Sequence, residues 1–112
     1  MKRIEAIIRE SKVSEVCAAL DRVGHPGVTV SSVEGRGKQK GWVHRVRSMA
    51  FNVSLLSRAR VEVVATDEDA GTIISAIRGA AATGEVGDGK IFVHDMAEVI
   101  SIRTNASGAA AL

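Results

Sequence analysis

Apolar residues in this chain switch from a period of two to helical spacing and back again, and the cycle runs twice. Few folds accept that order. In residues 2–9, Ile4, Ala6 and Ile8 fall on one face and Glu5 and Ile7 on the other, the pattern of a strand. Ser11 is placed to cap a helix in which Val13, Val16, Cys17 and Leu20 recur at helical spacing, and Gly24 with Pro26 beyond it ends the run. Cys17 on that stripe reads as core. Residues 28–34 alternate again, Val28, Val30 and Ser32 against Thr29, Ser31 and Val33, until Gly35-Arg36-Gly37 interrupts them. From about residue 36 to 57 no clean period survives, which predicts a long loop or irregular hairpin. Residues 60–66 resume strand alternation, and Thr66-Asp67-Glu68-Asp69 is a capped, acidic start for a second helix carrying Ile73, Ile74, Ile77 and Ala81. Residues 90–94 and 99–103 read as short strands, and the Ala-, Gly- and Ser-rich residues 104–112 as a flexible tail.

This order, βαββαβ with a short extra strand, predicts an α+β domain: a ferredoxin-like sandwich with both helices on one face of a four-stranded antiparallel sheet and a long loop between strands 2 and 3. At 112 residues the chain suffices for a single domain spanning 1–112 and not for two. Ile7, Val33 and Val64 leave the helix-free face of the sheet partly apolar, which calls for cover by another subunit.

Composition removes several function classes. Two Phe, one Trp and no Tyr provide few rings for stacking on RNA, so no nucleic-acid partner is expected. No apolar run reaches the roughly 20 residues of a membrane span, and the opening Met1-Lys2-Arg3-Ile4-Glu5 does not read as a signal peptide, so a cytoplasmic protein without membrane insertion is expected. The single Cys17 has no disulfide partner, and His25, His44 and His94 lack the spacing of a zinc site. An enzyme needs a nucleophile or acid–base pair converging in a cleft, whereas the carboxylates here gather mostly at helix starts, so no catalytic residue is expected.

Two stretches join glycines to cations: Gly35-Arg36-Gly37-Lys38-Gln39-Lys40-Gly41 after a strand, and Thr83-Gly84-Glu85-Val86-Gly87-Asp88-Gly89-Lys90 after a helix. Glycines admit an anion close to backbone amides and the cations compensate its charge, so each stretch could cradle phosphates. Either one alone is better explained as an ordinary turn, and neither has the Walker spacing. From residue 35 to 61 there are seven basic residues (Arg36, Lys38, Lys40, Arg45, Arg47, Arg58, Arg60) and no acid, a charge pattern suited to an anionic ligand or an acidic partner surface. Trp42 and Phe51 lie in the same segment as possible partner anchors beside Arg45 and Arg47.

Thr83-Gly84-Glu85-Val86-Gly87-Asp88-Gly89-Lys90-Ile91-Phe92-Val93 resembles the carboxy-terminal signature of the PII signal-transduction proteins, and Gly37-Lys38-Gln39-Lys40-Gly41 resembles the start of their T-loop. Residues 2–9 are similar to the family's opening strand, and Ile102-Arg103-Thr104 to its last. The resemblance implies a nucleotide-sensing regulator, not an enzyme. It further implies a homotrimer with ADP or ATP in three clefts between neighbours and a T-loop, here about residues 36–57, that contacts a target such as a membrane transporter or metabolic enzyme. By position, Ile7, Thr29 and Val64 would line the nucleotide cleft. Gly35, Gly37, Lys38, Gly87, Asp88, Gly89, Lys90 and Arg103 would hold ribose and phosphates. Gln39 would lie beside Mg2+ bound to ATP, and Gln39, Lys40 and Arg58 would form the effector site.

The departures are informative. Ser101 stands where most members carry arginine, and Arg58 where they carry the lysine that meets 2-oxoglutarate; arginine is longer, planar and not equivalent. Phe51 lies where many members carry a tyrosine that is nucleotidylated, and it has no hydroxyl. A divergent sensor of ADP, AMP or another small anion such as bicarbonate, without a 2-oxoglutarate response, is the alternative expectation.

Overall fold

The computed structural model describes residues 1–36, 43–46, 49–52 and 55–112, with only the backbone described for 43–46 and 49–52. Strand β1 (Lys2–Ile8) is central, and its buried residues Ile4, Ala6 and Ile8 are the alternate set expected from the pattern. Helix α1 (Val13–Arg22) follows, then β2 (Thr29–Gly35), the short β3 (Val43–Val46) and β4 (Met49–Asn52), β5 (Leu56–Ala65), helix α2 (Asp67–Ala81) and β6 (Lys90–Asp95). The four long strands form one antiparallel sheet in the order β2-β5-β1-β6, and β3 pairs with β4 in a separate two-stranded ladder. This is the ferredoxin-like α+β arrangement.

The core lies between the sheet and the helices. Ile4, Ala6 and Ile8 of β1 and Ala59, Val61, Val63 and Ala65 of β5 meet Val16 and Leu20 of α1 and Ile73, Ile77 and Ala81 of α2. Each buried Ile, Leu or Val contributes about 1.5–3 kcal/mol relative to exposure, so these few side chains hold the layers together. Cys17 is only half-buried, at the margin of this core and not within it.

Local chemistry sets the element ends. Beyond α1, the Gly24 amide donates to the Asp21 carbonyl (3.0 Å) and the His25 amide to the Leu20 carbonyl (2.9 Å), with Gly24 at φ +83°, a Schellman closure that needs glycine. At the start of α2 the Thr66 hydroxyl accepts from the Asp69 amide at 3.3 Å, the expected cap.

Three further expectations need correction. Ser11 does not cap α1: it lies inside a 3-10 turn (Glu10–Lys12) in which the Lys12 amide donates to the Arg9 carbonyl, so the helix entry is closed by backbone. The third long strand begins at Leu56 and not at residue 60, because its ladder with β2 continues to the Gly35–Leu56 pair; the connection between them is therefore residues 36–55. Residues 99–103 form no strand. Ile100 makes one bridge to Ser107, while the Asn105 amide donates to the Ser101 carbonyl and the Ser101 amide to the Ala106 carbonyl, folding the segment into a tight reversal with Asn105 at φ +59°. A 3-10 turn (Gly108–Ala111) follows.

Candidate functional site

The connection from α2 to β6 is built around one carboxylate. Asp88 Oδ2 accepts from the Thr83 amide (2.8 Å) and the Gly84 amide (2.9 Å), and Asp88 Oδ1 accepts from the Thr83 hydroxyl (2.5 Å) and from Arg9 Nε (3.4 Å). The Thr83 hydroxyl, followed by its amide, draws the Asp88 carboxyl down to about 2, with the Gly84 amide and Arg9 adding to the shift. Arg9 also donates from Nη2 to the Val86 carbonyl at 2.9 Å. The loop is thus tied at both ends of its arc.

Glycine is required within that arc. Gly84, Gly87 and Gly89 have φ of +88°, +103° and +99°, a region unfavourable to other residues. A Cβ on Gly89 would stand 1.7 Å from the Ile7 carbonyl oxygen, so the loop lies directly on the end of β1. Ile7 in turn pairs with Lys90, the exposed first residue of β6. An open groove of about 500 Å³ runs from Asp88, Gly89 and Lys90 along Ile91 and Val93 to Ile74 and Arg78 of α2.

Thr29 and Val64 lie elsewhere on the chain. They line a second groove of about 640 Å³ together with His25, Gly27 and Glu62. This groove is at the β2 side of the sheet and the glycine loop at the β6 edge. With neighbouring strands about 4.8 Å apart, the two edge strands are separated by roughly 14 Å.

Arg103 lies in the exposed turn after Ile100, and neither groove is lined by it. Ser101 uses its hydroxyl locally, accepting from the Thr104 amide at 3.4 Å. Arg58, on the open face opposite Val33, donates to the Ser57 carbonyl at 3.1 Å. Gly35 ends β2 without positive φ, and a Cβ there would meet open space. Gly37, Lys38, Gln39, Lys40, Trp42 and Arg47 lie outside the described residues, as do the side chains of Arg45 and Phe51, whose backbones belong to β3 and β4.

Sequence reasoning missed Arg9 and the tying role of Thr83. The signal for Arg9 was slight, a cation directly after the first strand; Thr83 stood in the glycine motif but reads there as a turn residue. Among the described residues no three metal-ligating side chains cluster, and no helix is long and apolar enough to cross a membrane.

Fold and loop together define a ferredoxin-like domain with a glycine-rich connection ordered by its own carboxylate. The model of the nitrogen regulatory protein P-II family matches residues 1–106. The chain is 50 % identical over 108 residues to a nitrogen regulatory protein P-II of Rhizobium meliloti, covering 96 % of each. It is 44 % identical to nitrogen regulatory protein P-II 2 of Methanothermobacter thermautotrophicus, over 96 % of this chain and 94 % of that one. The nitrogen regulatory protein P-II of Porphyra purpurea is 43 % identical over the full length of both. The chain belongs to the nitrogen regulatory protein P-II family.

Proposed function

We propose that this chain is a nucleotide-responsive signalling protein, not an enzyme, that assembles as a homotrimer, binds ADP or ATP between neighbouring copies and regulates a target protein through the connection of residues 36–55. The observation that carries this reading is the ordered loop of residues 83–90, with its positive-φ glycines seated on β1 and Lys90 at its exit. Glycine-lined backbone beside a lysine is suited to phosphate oxygens. Arg103, Gly35, Gly37 and Lys38 are assigned to the same ligand, Thr29 and Val64 to the adenine side, and Ile7 to the wall between β1 and the loop. Gln39 is assigned to Mg2+ brought by ATP.

The separation of the two grooves supports a cleft built from two copies, in which one chain supplies the phosphate loop and its neighbour the Thr29 groove. The sheet supports the same assembly. Phe92 on the open face and Val93 on the other are 45 % and 48 % exposed, and Ile100 and Ile102 project from the following turn. On the open face Arg3 lies 3.8 Å from Glu5 and 3.9 Å from Glu62. The apolar Ile7, Val33, Val64 and Phe92 on that face suit cover by a second copy.

The resemblance favours ADP. Ser101 stands where most members carry arginine, so the outer phosphate of ATP would lack one cation, worth about 1–3 kcal/mol in a dry site. Arg58 in the effector site of Gln39 and Lys40 disfavours 2-oxoglutarate, which leaves room for AMP or a small anion such as bicarbonate as the second signal. Calorimetry with ADP, ATP and AMP, with and without 2-oxoglutarate, tests the reading. ADP is expected to bind at least as tightly as ATP with little synergy, and Ser101→Arg to improve ATP more than ADP. Absence of any nucleotide binding would refute the reading, and ATP at least tenfold tighter with 2-oxoglutarate synergy would refute the ADP preference.

A further inference from the structure

Arg9 is the residue with the most specific unexplained geometry. It follows β1 directly, in extended conformation (φ −63°, ψ 138°), which points its side chain from the end of the central strand across to the connection of residues 83–90. Its side chain is only a quarter exposed, and its guanidinium contacts two parts of the arc, the Asp88 carboxylate and the Val86 carbonyl. Asp88 in turn accepts from the Thr83 and Gly84 amides and from the Thr83 hydroxyl. These contacts make the carboxylate the centre around which the loop is shaped.

We propose that Arg9 is a positioning residue for the candidate phosphate loop: its planar fork holds Asp88 and Val86 together, so that Gly87, Gly89 and Lys90 stand in binding geometry before a ligand arrives. This rests on the nucleotide reading above for its consequence, but the ordering itself is a property of the ligand-free chain. A loop with three glycines in the left-handed region has a large conformational entropy when released, so fixing it in advance lowers the ordering cost at binding. Lysine cannot replace the fork, because one ammonium on a flexible stem does not span a carboxylate and a carbonyl in a fixed plane.

The distinguishing feature is geometry as opposed to charge. Arg9→Lys retains the cation and Arg9→Gln removes it, whereas Lys90→Ala removes the cation assigned to the phosphate and leaves the Arg9 tie intact. Amide exchange by NMR without nucleotide reads the loop directly at the Thr83 and Gly84 amides. Both Arg9 variants are expected to exchange there at least about tenfold faster than the unmodified chain, with Tm retained, while Lys90→Ala is unchanged. ADP affinity is expected to fall about tenfold in Arg9→Lys as well as in Arg9→Gln. Unchanged exchange at Thr83 and Gly84 in both Arg9 variants would overturn the proposal, as would full ADP affinity in Arg9→Lys, which would reduce Arg9 to a charge. If the unmodified protein does not bind ADP, the nucleotide reading fails, and the exchange comparison alone then upholds or overturns the ordering role.

Discussion

At the scale of single residues, the loop of residues 83–90 divides its work between shape and charge. Asp88 and the glycines give shape, and Lys90 projects from the exit as the cation. Lys90→Ala and Arg103→Ala are each expected to weaken ADP binding by roughly ten- to a hundredfold with Tm little changed, since each removes one charge-assisted contact worth about 1.5–3 kcal/mol and neither side chain is buried. Isothermal titration beside thermal melting checks both halves of that statement. The Asp88 carboxyl adds a pH dependence. Its folded-state value of about 2 lies below the ordinary 3.8, so its contribution is complete above about pH 4 and is lost as pH falls through 2. The Asp88 carboxyl carbon, followed by NMR, is expected to titrate near 2 and the Thr83 amide to lose its bonded shift with it; a midpoint near 4 would contradict the tie.

At the scale of elements, helix ends were set by short-range chemistry wherever a side chain or glycine acts on its immediate neighbours. Thr66→Ala should cost about 1 kcal/mol by leaving the Asp69 amide without its acceptor, seen as a lowered Tm with nucleotide affinity retained. That cap, the Gly24 closure and the buried alternation of β1 were all legible in the sequence, because each depends on residues within a few positions. Ser11 was not, since a 3-10 turn from Arg9 competes for the same amides and no side-chain pattern announces it. The start of β5 at Leu56 was hidden for a different reason: its first residues are held by the ladder to β2 and not by burial of alternate side chains. Residues 99–103 have strand composition, but hydrogen bonds closing around Ser101 and Asn105 turn them back, so local turn chemistry overrode strand propensity.

For the whole molecule, the parts of the candidate site that were readable are those carried by one contiguous motif. Residues 83–90 announced an anion-suited loop, and the structure builds it as one body on β1. The Arg9 tie was not readable, because residues separated by nearly eighty positions meet only once β1 and β6 are paired. The same holds for the Thr29 groove, which the sheet order places away from the glycine loop. In the proposed trimer, one chain presents two half-sites that a neighbouring copy completes.

Native mass spectrometry with ADP tests that claim most directly, because it reads assembly and occupancy in the same spectrum. The account predicts trimers carrying up to three ADP, no ADP on any single chain, and loss of the bound ADP in Lys90→Ala trimers. ADP held by a monomer, or trimers that remain empty at saturating ADP, would contradict it.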